Sequence, residues 1–275
     1  MSQLVCFSSQ PQLREPALVV GWRVDAGELG TRVTDYLIRK LGGQPFCSIE
    51  PVEFFPLGGV AIENDLVQFP ETRFYACPES DLVVLQSTPP SYEWYRFLNL
   101  VLDVAQHCQV KELYTVGGMV ALGAHTTPRQ LWGTPNSPEL KRTLSQYQIT
   151  RDLNYETPPG QRPTISSFLS WTAKRRNIPA ANLWVPIPFY LLPVTDPRAQ
   201  KKVLEFLNLR LGLHLDLSDL DEAIRQQTEK LDRMRTSYPD IDRSISRLEN
   251  NIGLSEEENQ RLVRQVEEFL REKGD

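Results

Sequence analysis

Short continuous apolar runs alternate, along most of the chain, with segments whose apolar residues return every three or four positions, as buried strands alternating with amphipathic helices do. Ala17-Leu18-Val19-Val20-Gly21 reads as a strand covered on both faces. Asp25-Ala26-Gly27-Glu28 has the form of a capping box; Leu29, Val33, Leu37 and Leu41 then recur every fourth residue, Ile38 widens the stripe, and Gly42-Gly43 ends it. Residues 46–55 read as a strand broken or held at an edge by Pro51. Residues 57–76, with Gly58-Gly59, Val60-Ala61-Ile62 and Thr72-Arg73-Phe74-Tyr75-Ala76, read as an antiparallel excursion of short strands. A second buried strand follows at Asp81-Leu82-Val83-Val84-Leu85-Gln86, and Ser91 is placed to cap a helix carrying Trp94, Leu98, Val101, Ala105 and Cys108. Glu112-Leu113-Tyr114-Thr115-Val116 is a third strand, ending in Gly117-Gly118. A helix around residues 166–177, the strand Asn182-Leu183-Trp184-Val185-Pro186-Ile187 and a helix opened by Asp196-Pro197 and closed by Gly212 repeat the alternation. With right-handed crossovers this predicts an α/β protein, a three-layer α/β/α sandwich on a mainly parallel sheet. The connections at 117–137 and 157–163 are too long for plain turns, and loops of that length tend to be functional or interface-forming.

After residue 212 the pattern changes. Leu217, Leu220, Ile224, Gln227, Leu231 and Met234 are spaced as a heptad seam, with Ser218 as the expected N-cap and Asp221 in the first turn. The spacing resumes after Pro239 at Ile241, Ile245, Leu248 and Ile252. A third helix opens at Ser255-Glu256-Glu257-Glu258, where Ser255 and Glu258 form a capping box, and carries Leu262, Val266 and Phe269. Two readings stay open for these apolar faces. They pack on each other or on the body as a helical subdomain, or the first of them, through Leu217, Leu220, Ile224, Leu231 and Met234, is an oligomer or partner seam. The glutamate run reads as a helix-dipole feature and not as a metal site.

Charge sharpens that division. The formal net charge is −5 over 275 residues, but residues 213–275 hold 10 Lys and Arg against 16 Asp and Glu, which leaves the remainder near neutral. Only Pro239, of 21 prolines, lies beyond residue 212. The expected domains are therefore an α/β/α body, 1–212, and an acidic helical C-terminal subdomain, 213–275. Neither has the basic excess of a nucleic-acid binder, and no apolar stretch reaches the ~20 residues that span a bilayer. Met1-Ser2-Gln3-Leu4-Val5-Cys6 lacks the basic start of a secretion signal. Cys6, Cys47, Cys77 and Cys108 are scattered singly, as reduced thiols of a cytoplasmic protein are.

Phosphate-loop, nucleophile-elbow, zinc-protease and EF-hand patterns do not occur, so no catalytic residue, cofactor or metal is expected. Gly21, Gly27 and Gly30 hint at a dinucleotide turn, but Arg23 stands where a glycine would let the backbone touch a pyrophosphate; the set reads as close packing at a helix start. His107 falls at a helix end and His214 just past Gly212. His125 lies downstream of a strand's carboxyl end, where open α/β sheets place ligands. Gly117, Gly118, His125, Thr126 and Arg129 thus form a candidate ligand or interface loop. An imidazole, hydroxyls and a guanidinium can bind an anion or relay a proton, although no nucleophile or carboxylate partner is fixed by spacing. A structural or interface loop, ligand binding without catalysis, and catalysis all remain open.

Several segments together resemble the proteasome assembly chaperone type 2 family, in its bacterial and archaeal members. They are Gly21-Trp22 with Asp25-Ala26-Gly27; Glu50-Pro51-Val52-Glu53-Phe54-Phe55; Val116-Gly117-Gly118 through His125-Thr126-Thr127-Pro128-Arg129 to Gly133-Thr134; Val185-Pro186-Ile187-Pro188-Phe189-Tyr190; and Leu213-His214-Leu215-Asp216-Leu217. The resemblance implies a body similar to nucleoside phosphorylase and hydrolase folds, homo-oligomers, and a chaperone role in proteasome assembly among archaeal and eukaryotic relatives. Bacterial members are sometimes labelled ATP-grasp or carboxylate-amine ligase, which these residues do not support. Pro188-Phe189-Tyr190 departs from the Pro-His-Tyr of relatives, and residues 155–168 are richer in proline than is usual there. The end, Arg271-Glu272-Lys273-Gly274-Asp275, lacks the hydrophobic-Tyr-X tail by which some archaeal relatives dock. The expectation is a non-enzymatic, homo-oligomeric assembly chaperone or scaffold with a proteasome-like or other protein client, without nucleic acid or membrane. The alternative is a small-molecule enzyme of nucleoside phosphorylase or hydrolase type built on the Gly117 to Arg129 loop.

Overall fold

The computed structural model describes residues 3–56, 61–63, 65–150, 153–154 and 156–271. Gly58-Gly59-Val60, Tyr155 and the terminal Glu272-Lys273-Gly274-Asp275 lie outside the described residues. In chain order the elements are β1 (Val5–Phe7), β2 (Ala17–Trp22), α1 (Leu29–Lys40), β3 (Gln44–Ile49), β4 (Ala61–Glu63), β5 (Leu66–Gln68), β6 (Thr72–Cys77), β7 (Leu82–Ser87), α2 (Trp94–His107), β8 (Glu112–Ala121), β9 (Leu131–Pro135), α3 (Pro138–Leu144), β10 (Ile149–Thr150), α4 (Ile165–Arg175), β11 (Ala180–Pro188), α5 (Pro197–Leu211), α6 (Ser218–Ser237), α7 (Pro239–Glu249) and α8 (Glu256–Arg271). Single 3-10 turns lie at Ala26–Glu28, Pro78–Ser80 and Phe189–Leu191.

Nine strands form one sheet in the order β1-β3-β6-β7-β2-β8-β11-β9-β10, and β4 and β5 make a separate hairpin. At the centre β2 is parallel to β7 and to β8, whereas β1-β3, β3-β6 and β6-β7 are antiparallel. The sheet is thus parallel in its middle and antiparallel along one side. The reason is local: β6 and β7 are joined only by the turn Pro78–Ser80 and by Asp81 at φ 47°, which reverses the chain without the crossover that a parallel pair needs.

Every residue of β2 and of β7 is buried, so both faces of the central strands are covered. Leu18, Val20, Val83 and Leu85 join Phe97, Val101 and Leu169 of α2 and α4 in one core. On the opposite face Gln86 Nε2 donates to Thr34 Oγ1 of α1 at 3.0 Å. A Cβ on Gly21 would lie 2.4 Å from the Gly30 carbonyl oxygen, and one on Gly30 2.8 Å from that of Val116. These glycines let α1 descend onto the strands. Helices on both faces give the α/β/α sandwich, with further helices at the C-terminal end.

Several local expectations change. Asp25 does not cap a helix: Gly27 (φ 65°) and Glu28 (φ 53°) are left-handed, and α1 begins only at Leu29. Ser91 does not cap α2: the helix starts at Trp94 with Glu93, at φ 50°, in the N-cap position, while the amides of Ser91 and Tyr92 donate to the Phe54 carbonyl at 2.8 and 3.2 Å. β3 ends at Ile49, before Pro51. β8 runs through Gly117-Gly118 to Ala121, and β9 lies inside the segment expected to be irregular, which reduces that connection to residues 122–130.

The chain divides into two compact units, one of residues 1–24, 30–117 and 132–183, the other of residues 25–29, 118–131 and 184–275. The division by charge at 212/213 does not coincide with this one, since α5 groups with α6, α7 and α8. Within the second unit Asp196 Oδ1 accepts from the Ala199 amide at 3.1 Å and Gly212 closes α5 at φ 62°, as the sequence predicts. Asp216, not Ser218, opens α6, accepting from the Ser218 amide at 2.9 Å. The α8 capping box is reciprocal: the Ser255 amide donates to Glu258 Oε2 at 2.7 Å and the Glu258 amide to Ser255 Oγ at 3.2 Å. Leu220, Leu231 and Met234 are buried, as are Ile241, Ile245, Leu248, Leu262 and Val266. Ile252 stays exposed because α7 has ended at Glu249.

Candidate functional site

The loop after β8 is fixed at its root by backbone proximity. The Gly118 amide donates to Asp25 Oδ2 at 2.7 Å, and a Cβ on Gly118 would lie 2.0 Å from the Ala26 carbonyl oxygen, so only glycine fits. Asp25, expected as a helix cap, is instead a partner of this strand end. Farther along, the loop turns inward and buries Ala124 and His125.

His125 is 3% exposed and meets Tyr190, from the turn Phe189–Leu191, twice. Its backbone amide donates to Tyr190 Oη at 2.6 Å, and its Nδ1 lies 2.8 Å from the same oxygen. The phenol accepts from the amide and has one proton of its own; given to Nδ1, that proton pairs with the neutral imidazole tautomer that carries its hydrogen on Nε2. Burial, aided by Arg235, pulls the His125 pKa down to about 4, with Glu249 opposing and Arg129 and Arg198 adding to the fall. Burial also pushes the Tyr190 phenol above its ordinary value. At neutral pH both groups are uncharged, and the pair orients the loop.

The Arg129 side chain is buried too. Its Nε donates to Asp196 Oδ2 at 2.8 Å and its Nη1 to the Thr127 carbonyl at 2.7 Å; Nη2 is buried with no hydrogen-bond partner among the described residues. Asp196 is the residue whose other oxygen caps α5. Thr126 Oγ1 donates to Glu249 Oε1 at 2.9 Å, and Arg235 Nη1 donates to the same oxygen at 2.7 Å while its Nε donates to Asp242 Oδ1 at 2.7 Å. Hydrogen bonding from Arg235 holds the Glu249 carboxyl below the usual carboxylate range, and Glu249 in turn raises the Arg235 guanidinium.

Of the loop residues marked in the sequence, His125, Thr126 and Arg129 come together in one network, with Gly118 at its root. Gly117 belongs to the body of β8, in the first unit. The seam residues Leu220, Leu231 and Met234 are covered by their own unit, and Leu217 and Ile224 are half-buried. Sequence reasoning did not connect Tyr190, Arg235 and Glu249 to the loop, 65 or more positions away. It found Asp196 only as a cap. Burial pushes the thiols of Cys47 up to about 12 and of Cys77 and Cys108 up to about 11, so these act as apolar fillers.

An α/β/α sandwich followed by acidic helices, with a glycine-rooted loop tied down by Tyr190, Asp196 and Glu249, defines a recognisable class. The profile of the PAC2 family matches residues 18–235, and the chain belongs to that family. Solved structures share the fold, among them the following three. A PAC2 family protein from Streptomyces avermitilis is 21% identical, with 85% of this chain and 99% of that one covered and a TM-score of 0.70. A proteasome-assembly chaperone homologue from Mycobacterium tuberculosis is 22% identical, covers 79% and 94%, and gives 0.69. An archaeal proteasome activator from Pyrococcus furiosus is 20% identical, covers 84% and 98%, and gives 0.68. No curated protein matches the chain. Among the described residues no helix is long and apolar enough to cross a membrane.

Proposed function

We propose that this protein is a non-enzymatic assembly chaperone or scaffold that works as a homo-oligomer in the cytoplasm on a proteasome-like or other multisubunit client. One observation carries the reading. His125, Thr126 and Arg129, the loop residues with the most chemical potential, are engaged by Tyr190, Glu249 and Asp196 of the same chain, which suits a loop that shapes a binding surface. Membership of the PAC2 family, and structural relatives named for proteasome assembly and activation, support the same conclusion. The small-molecule enzyme alternative draws no support from either source.

Size-exclusion chromatography with light scattering on the full chain tests the oligomer. The expected particle mass is a multiple of 31.5 kDa at micromolar concentration. A particle of 31.5 kDa throughout that range contradicts the proposal.

A further inference from the structure

In the first unit, one edge of the sheet is left unguarded. β1 is the outermost strand beside β3, with Val5 opposite Ile49, Cys6 opposite Ser48 and Phe7 opposite Cys47. The flanking bonds set the phase of this ladder: the Glu50 amide donates to the Leu4 carbonyl at 2.9 Å and the Ser8 amide to the Phe46 carbonyl at 2.8 Å. Leu4, Cys6 and Ser8 therefore turn their backbone groups toward β3, and Val5 and Phe7 turn theirs outward. Among the described residues no strand lies beyond β1 to meet them. Natural proteins commonly blunt such edges with charged residues or proline. Neither occurs between Gln3 and Gln10, whereas the opposite edge strand, β10 at Ile149–Thr150, is followed in the sequence by Arg151-Asp152.

The complement of this edge is the edge itself. Two copies set antiparallel about a twofold axis at Cys6 place Val5 of each opposite Phe7 of the other, so every outward amide and carbonyl of both residues finds a partner. An axis at Phe7 would instead place Val5 opposite Ser9, whose amide already donates to the Phe46 carbonyl at 3.4 Å. The side chains agree with the Cys6 axis. Val5 and Phe7 share the face on which the Phe7 ring lies 4.8 Å from that of His107 of α2, so each ring meets a β-branched residue across the new pair. Both are half-buried, which leaves surface to lay on the second copy. Cys6 is exposed on the other face, its Sγ 3.6 Å from Glu50 Oε1. At the axis it faces its own copy in a non-hydrogen-bonded pair, whose Cα atoms stand ~4.5 Å apart, within the ~4.4–6.8 Å that a disulfide spans.

We propose that β1 pairs with β1 of a second copy about a twofold axis at Cys6, joining two nine-stranded sheets into one. The pairing rests on the homo-oligomer reading above and names its interface. Cross-linking of the full chain at micromolar concentration tests it, with diamide taking up the two hydrogens that two thiols release as they join. A product of twice 31.5 kDa, linked Cys6 to Cys6 by peptide mass spectrometry, is expected. The double variant Cys6→Ser with Ser8→Cys moves the thiol to another exposed position of the same face, where the two copies' thiols stand about 13 Å apart along the strands, and should link at least tenfold more slowly. Val5→Pro removes an amide that β3 does not use; with circular dichroism unchanged, it should lower the particle mass in light scattering and slow the Cys6 link as much. Should that variant lose its fold, the comparison of positions 6 and 8 decides. Equal rates at those positions, or unchanged mass and rate in a folded Val5→Pro, would overturn the pairing; a parent chain heavier than 31.5 kDa would then leave the homo-oligomer reading standing with its interface elsewhere. A parent chain of 31.5 kDa overturns both.

Discussion

Asp196 holds Arg129 and starts α5 with one carboxylate, Oδ2 accepting from the guanidinium at 2.8 Å and Oδ1 from the Ala199 amide at 3.1 Å. Both side chains are nearly inaccessible, at 4% and 1% exposure. Asp196→Ala should therefore remove a cap, worth about 1 kcal/mol, and strand a buried cation, at about 3–5 kcal/mol. Chemical denaturation should show a loss of that order. Asp196→Asn keeps the cap and should lose less, and the pair Arg129→Met with Asp196→Asn should be more stable than Asp196→Ala because no buried charge is left alone. Equal losses for all three variants would sink this account of the loop.

His125 makes stability depend on pH. Above about pH 6.5 both folded and unfolded chains carry it neutral, with no effect. Below that the unfolded chain takes up a proton that the folded one refuses until about pH 4, so the native state loses on the order of 3 kcal/mol across this window and no more beneath it. Urea midpoints between pH 7 and 4 should fall accordingly. In His125→Gln, less stable at pH 7, that part of the slope should vanish. An unchanged slope would show that His125 titrates normally.

Glu249 fastens the loop through Thr126 while Arg235 holds it in place. Because Arg235 and Glu249 are 20% and 28% exposed, the expected cost of Glu249→Gln is modest, about 1–2 kcal/mol. The sharper readout is local. Hydrogen exchange at residues 122–130 should quicken while α2 and α4 keep their protection, and protection unchanged at the loop would show that the Thr126 bond does not hold it.

Gly118→Ala places a methyl group 2.0 Å from the Ala26 carbonyl oxygen and 2.8 Å from Ile187 Cδ1. The backbone oxygen cannot step aside, so the variant should lose several kcal/mol, beyond the ~1–3 kcal/mol of ordinary overpacking. Gly42→Ala, with open space around it but φ 64°, should cost only about 1 kcal/mol. A Gly118→Ala melting temperature within a few degrees of the parent protein would contradict the close approach.

Much of this architecture is written in local patterns. Leu18, Val19 and Val20 announce a strand buried on both faces, Asp196-Pro197 and Gly212 bracket α5, and Ser255 with Glu258 forms the reciprocal cap of α8, because each depends on neighbours within four positions. The errors arise where tertiary contacts compete with local ones. Asp25 resembles a cap until Gly118, 93 positions on, claims its carboxylate, and Ser91 resembles one until its amide turns to Phe54. The candidate loop was legible through His125 and Arg129. Its partners were not, since nothing in the spacing ties Tyr190 or Glu249 to residues 125 and 126.

The proposed chaperone role requires that the protein bind unassembled subunits of its client. Affinity capture of the tagged full chain, followed by native mass spectrometry of the eluted complexes, tests it most directly. The account predicts near-stoichiometric recovery of one set of subunits as incomplete assemblies, bound to an oligomer of this chain. Recovery of the chain alone, or only with the finished complex at the same ratio as an unrelated bait, would contradict it.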